Sequence, residues 1–128
     1  MRESDLIERL TERAARRPGT ELGIGDDAAI LALDGRAVVA QDLLVDDVHF
    51  RLATTGARDL GHKALAVNLS DLAAMGVRPV AAFVGLVIPP QGFGARDFDL
   101  LYEGMEELAG RHGVSVAGQL LHPLVEQV

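Results

Sequence analysis

The run from Val80 to Ile88, VAAFVGLVI, carries no polar side chain. Its length and its Val, Ile and Phe content predict a strand buried on both faces. A helical period follows at once. Phe98, Leu101, Met105 and Leu108 step by three and four within Ala95 to His112, which predicts an amphipathic helix closed by Gly113. Val114 to Ala117 then opens another apolar strand. Strand, helix and strand in that order put the chain among folds that lay helices on a sheet.

The segments upstream extend this plan. Ser4 to Arg16 predicts a helix, with Ser4 as N-cap, Asp5 and Glu8 near its positive end, and Pro18-Gly19 as its stop. Gly23 to Leu31 predicts a tight loop feeding a strand. Asp34-Gly35 is a turn dipeptide, and Ala37 to Ala40 a second apolar run, so a hairpin is expected there. Leu43 to Phe50 mixes apolar and acidic residues, as an irregular active-site segment or a short strand would. His62 to Gly76, HKALAVNLSDLAAMG, is a helical run, with Thr55 or Asp59 as candidate cap before it and Gly76 and Pro79 after it. The order α, β, β, α, β, α, β predicts an α/β (α+β) sandwich with helices on one face of a mixed or antiparallel sheet.

Composition removes several classes of function. At 128 residues with 48% hydrophobic content the chain supports one folded domain with an aliphatic core. A net charge of −7, with no basic cluster beyond Arg13, Arg16 and Arg17 at a helix end, argues against nucleic acid as partner. Absence of cysteine excludes disulfides, thiolate catalysis and cysteine-based zinc sites. No apolar run reaches the roughly 18 residues of a membrane span, and the N-terminus has no signal-peptide pattern, so no membrane partner and a cytoplasmic location are expected.

The motifs of phosphate loops, zinc proteases, serine hydrolases and EF-hands are missing, and Gly23-x-Gly25 lacks a dinucleotide fingerprint. What remains is a set of aspartates near element ends: Asp26 and Asp27, Asp42, Asp46 and Asp47, and Asp71. Hard cations such as magnesium take carboxylate oxygens and share their shell with water and phosphate. Two readings stay open on spacing alone: turn capping with surface solvation, or convergence on a metal. Asp71 is the case in point, because Asn68 and Asp71 share a helix face amid apolar residues, while Ser70 or Asp71 could instead cap a turn after a break.

Three segments in order carry a resemblance: Gly23-Ile24-Gly25-Asp26-Asp27-Ala28-Ala29, then Gln41-Asp42-Leu43-Leu44-Val45-Asp46-Asp47-Val48-His49-Phe50, then His62 to Gly76. Together they resemble the N-terminal domain of the thiamine-monophosphate kinases, within the ATP-binding superfamily of aminoimidazole ribonucleotide synthetase. The resemblance implies a kinase that moves a phosphate from ATP to thiamine monophosphate, giving thiamine diphosphate, with Mg2+ bridging the phosphates. By position it implies Asp27, Asp42 and Asp71 as metal ligands and His49 as a contact to the thiamine phosphate. Tyr102 and Gly118 fall at nucleotide-contacting positions. It also implies a homodimer formed through the sheets.

Three departures accompany it. Ala40-Gln41 stands where the family has two hydroxyl residues before the strand-end aspartate. Ala117-Gly118-Gln119-Leu120 replaces Gly-Gly-Asp-Thr, so one magnesium aspartate is gone. The chain also stops at Val128 without the family's C-terminal domain, which leaves residues 1–118 as an N-terminal ATP/Mg-binding-type domain and 119–128 as an atypical tail. A fragment inactive by itself is therefore expected, with two alternatives: a non-catalytic dimerisation or magnesium-nucleotide-binding module, or a superfamily member acting on another phosphate acceptor.

Overall fold

The computed structural model describes residues 3–15, 17–23 and 28–123. Among the described residues seven elements follow one another: α1 (Glu3–Arg13), β1 (Thr20–Leu22), β2 (Ile30–Leu31), α2 (Ala57–Ala74), β3 (Ala81–Ile88), α3 (Ala95–His112) and β4 (Ser115–Pro123). β3 and β4 pair in parallel across the α3 crossover, while β1 and β2 pair antiparallel. The chain adopts the expected α/β class, but its described strands form two separate two-stranded sheets, one antiparallel and one parallel, where a single mixed or antiparallel sheet was expected.

α3 is the hub. Phe98, Leu101, Tyr102, Met105, Leu108 and Ala109 are all buried on it, at the spacing that makes one face of a helix. The Gly94 amide donates to the Asp97 carboxylate at 2.9 Å at its start. Gly113 ends it in the left-handed region, φ 68°, which only glycine enters freely. Ala82, Val84, Leu86 and Ile88 of β3 pack toward this core, as do Leu6 and Leu10 of α1.

α2 meets α3 through backbone. A Cβ on Gly61 would lie 1.8 Å from the Leu101 carbonyl oxygen, and one on Gly104 would lie 2.0 Å from that of Arg58. Only glycine at both places lets the helices come this close. The buried residues of α2, Ala57, Leu60, Gly61 and Leu65, all lie in its first half.

After α1 the chain is pinned to the start of β4. The Arg17 amide donates to Ser115 Oγ at 3.0 Å, and its guanidinium donates to the Val114 carbonyl at 2.5 Å and to the Glu106 carboxylate. Ser115 is 1% exposed and Val114 is likewise buried, so the anchor satisfies polar atoms that water does not reach.

Five local expectations need correction. Ala37 to Ala40 forms no strand, and β2 pairs with β1 instead, so the expected hairpin is displaced toward the N-terminus. α2 begins at Ala57, ahead of the expected His62, and its N-cap is Gly56, with no side-chain cap from Thr55 or Asp59. The helix also runs unbroken through Ser70 and Asp71, so neither caps a new turn. β3 is covered on one face only, since Phe83 and Val87 remain 62% and 58% exposed on the other. A continuous apolar run does not reveal whether the second face is covered within the same chain. β4 also extends past the apolar residues that announced it, to Pro123, because its backbone pairs with the whole length of β3.

Candidate functional site

The segment from Val45 to Leu52 is a tightly bonded turn. Asp46 Oδ1 accepts from the amides of Asp47 at 3.0 Å and Leu52 at 2.9 Å, so this carboxylate builds the loop from within. Asp47 sits at φ 60°, the left-handed region that aspartate tolerates better than most residues, and its amide also donates to the Phe50 carbonyl at 2.8 Å. The His49 amide donates to the Val45 carbonyl at 2.9 Å, and the Val45 amide donates back to His49 Nδ1 at 3.0 Å. A nitrogen that accepts carries no proton, so in the neutral ring the proton is on Nε2. The turn thereby shows an exposed imidazole with a fixed tautomer. Lys63 Nζ of α2 donates to the His49 carbonyl at 2.5 Å and ties the turn to the helix.

Asp42 and Asp71 are both exposed, the first in the extended segment before this turn and the second on the solvent-facing half of α2. Asn68, which shares a face with Asp71, turns its amide back to the Ala64 carbonyl at 3.0 Å. Among the described residues neither Asp42 nor Asp71 is engaged by a cation, and no group of three His, Cys, Asp or Glu side chains converges. Asp27 lies outside the described residues. Two free carboxylates offer the hard oxygen donors that magnesium takes, without by themselves making a closed site.

Tyr102 is buried in α3, its ring tilted against Phe98 at a centroid distance of 4.9 Å. Burial pushes its phenol well above the usual tyrosine range. It lines a groove of 520 Å³ between α1, α3 and the start of α2, with Leu10 and Val116 on the floor and Arg13, Arg58 and Glu103 on the rim. The rim is held by ion pairs. The Arg58 guanidinium bonds Glu107 at 2.6 Å and Arg111 bonds it at 2.7 Å, and these bonds hold the Glu107 carboxyl below the usual range. Arg58 and Asp71 are thirteen residues apart on α2, about 20 Å along a helix axis. The Tyr102 groove and Asp71 therefore belong to opposite ends of α2. Gly118 faces Phe83 across the sheet, where a Cβ would meet the ring at 2.5 Å.

Lys63 is the residue that sequence reading passed over. It is the chain's only lysine among twelve basic residues, a signal available from the start.

The description "AIR synthase related protein, N-terminal domain" matches residues 25–120. The chain belongs to that family. Its Bacillus subtilis relative, a thiamine-monophosphate kinase, is 42% identical over 92% of this chain and 37% of its own length. A thiamine-monophosphate kinase of Mycobacterium tuberculosis is 45% identical over 88% of this chain and 34% of its own length. The crystal structure of thiamine-monophosphate kinase from Stenotrophomonas maltophilia K279a superposes with a TM-score of 0.69 at 39% identity, covering 93% of this chain and 37% of that one. The chain thus spans little more than a third of the length of these relatives. The family match and the structural likeness agree with the AIR-synthase-type fold that the three sequence segments implied.

Proposed function

We propose that this chain is the N-terminal part of a thiamine-monophosphate kinase, a phosphotransferase that takes ATP and thiamine monophosphate to thiamine diphosphate. The observation that carries the reading is the 36–48% identity to proteins of that name. The fixed imidazole of His49 supports it, because a neutral ring with Nε2–H outward is a donor suited to a phosphoryl oxygen. Asp27, Asp42 and Asp71 would hold Mg2+, whose chemistry here is neutralisation of phosphate charge during transfer. The same resemblance assigns Gly118 and Tyr102 to the nucleotide; Tyr102, at the far end of α2 from Asp71, would then meet a part of it remote from the metal. The chain's own part is to bind and orient: His49 toward the acceptor phosphate, the exposed carboxylates toward metal.

Calorimetric titration with magnesium-ATP tests this reading. Binding heat is expected for the wild-type chain, and Asp42→Asn or Asp71→Asn should weaken it at least tenfold. Heat that both variants leave unchanged would overturn the metal assignment and favour a non-catalytic module.

The uncovered side of the sheet supports a second property, self-association. Phe83 and Val87 of β3 are joined in exposure by Val39 at 86% and Leu43 at 75% in the extended segment before the turn. Apolar surface in such a series is costly to leave in water, at about 25 cal/mol per Å². A homodimer through this face is expected in sedimentation equilibrium, and Phe83→Asp should shift it to monomer. A wild-type monomer at high concentration counts against it.

A further inference from the structure

Lys63 stands out in two independent ways. The chain places arginine at every other basic position, and several of those arginines in and after the helices are matched with carboxylates. The one lysine is half-buried in α2, has no carboxylate paired with it among the described residues, and spends a donor on a backbone oxygen. That oxygen belongs to His49, fourteen residues earlier. A compact ammonium suits a single point contact of this kind, where a planar guanidinium would bring a fork with nothing to match it.

The ring and the carbonyl of His49 are held from two sides. The Val45 amide fixes Nδ1 at 3.0 Å, and Lys63 fixes the carbonyl at 2.5 Å. The first contact sets the tautomer. The second sets where the turn stands relative to α2, the helix that carries Asp71. Asp47, in the left-handed region within the same turn, adds a local conformation that neighbouring contacts must sustain.

We propose that Lys63 is the positioning residue for His49, tying the turn to α2 so that the imidazole offers Nε2–H to the phosphoryl group of the acceptor. The role given to the ring rests on the function proposed above. The tie itself rests on the contacts.

Nitrogen-15 NMR on the whole chain tests it. The wild-type His49 ring is expected as the Nε2–H tautomer, with a slowly exchanging Val45 amide and Overhauser contacts from the Lys63 side chain to His49. In Lys63→Met, Val45 exchange should quicken at least tenfold and the His49 tautomers should mix, with His62 and His112 unchanged. Lys63→Arg, which keeps the charge, should restore part of the protection. Unchanged His49 and Val45 signals in Lys63→Met would overturn the proposal. So would missing Lys63–His49 contacts in the wild type, a readout that does not depend on how the variant folds. Thiamine monophosphate and inorganic phosphate serve as probes in a second arm. Shifts at His49 that weaken tenfold in Lys63→Met support the positioning role. If neither probe moves His49 in the wild-type chain, the phosphate role fails, while the exchange data still decide whether Lys63 holds the turn.

Discussion

Gly61→Ala should lower the melting temperature of this chain by roughly 10 °C, although alanine is the better helix former. The two effects differ in size. Alanine in place of a mid-helix glycine contributes about 1 kcal/mol of helix propensity. Against that, the new methyl would stand 1.8 Å from the Leu101 carbonyl oxygen, a backbone atom that no rotamer change can move. Overpacking costs about 1–3 kcal/mol where side chains can adjust, and a clash between two helix backbones belongs at or above the upper end. The net loss of about 2–3 kcal/mol corresponds to the stated shift for a domain of this size. Gly104→Ala, 2.0 Å from the Arg58 oxygen, should behave alike. Gly110→Ala provides the opposite sign. It lies on the exposed side of α3 with only the Arg17 guanidinium near, at 3.4 Å, so propensity should prevail and stability should rise. Thermal unfolding followed by circular dichroism measures all three. A Gly61→Ala chain as stable as the wild type would refute the close backbone approach of α2 to α3.

Arg17→Met should cost about 2–3 kcal/mol, a large effect for a residue outside any helix or strand. Its guanidinium donates to the buried Val114 carbonyl and to Glu106, and hydrogen bonds of charged groups contribute about 1.5–3 kcal/mol each. The side chain is only partly exposed, so solvent screens this anchor less than it screens the Arg9–Asp99 and Arg13–Glu103 pairs. Methionine keeps most of the apolar stem and leaves the Val114 oxygen without its donor. Glu106→Gln removes only the charge partner and should cost less than half as much. Urea unfolding of the three chains distinguishes these contributions, and equal midpoints for wild type and Arg17→Met would refute the anchor. The segment concerned joins α1 to β1, so its loosening should also release Leu6 and Leu10 from the core.

Much of this architecture is legible in residue order. The periodicity of Phe98, Leu101, Met105 and Leu108 announced α3 and its buried face, and the apolar run of β3 announced a strand, though not that one of its faces stays uncovered. The failures have a common cause. Ala37 to Ala40 has strand composition, but pairing requires a partner edge, and β2 takes β1 instead. Nothing in residue order marks Gly61 and Gly104 as contacts, because a sequence does not show that their missing side chains face each other's helices.

The candidate site divides in the same way. Sequence alone offered the aspartates as either turn caps or metal ligands, and the family resemblance it carried implied metal for Asp27, Asp42 and Asp71 and phosphate for His49. Structure alone decided that Asp46 is consumed in building its own turn, that Asn68 folds back on α2, and that Tyr102 faces a groove at the far end of that helix from Asp71. Structure alone also joined Lys63 to His49. The physical reason is reach. Propensity and periodicity act over a few neighbouring residues and are written into the chain locally, so they fix helices, strands and candidate chemistry. Hydrogen bonds such as that of Lys63 to His49, and backbone contacts such as that of α2 with α3, exist only once distant segments have been packed. The sequence therefore determined which elements and which reactive groups this protein has, and the tertiary structure decided which of those groups stand together.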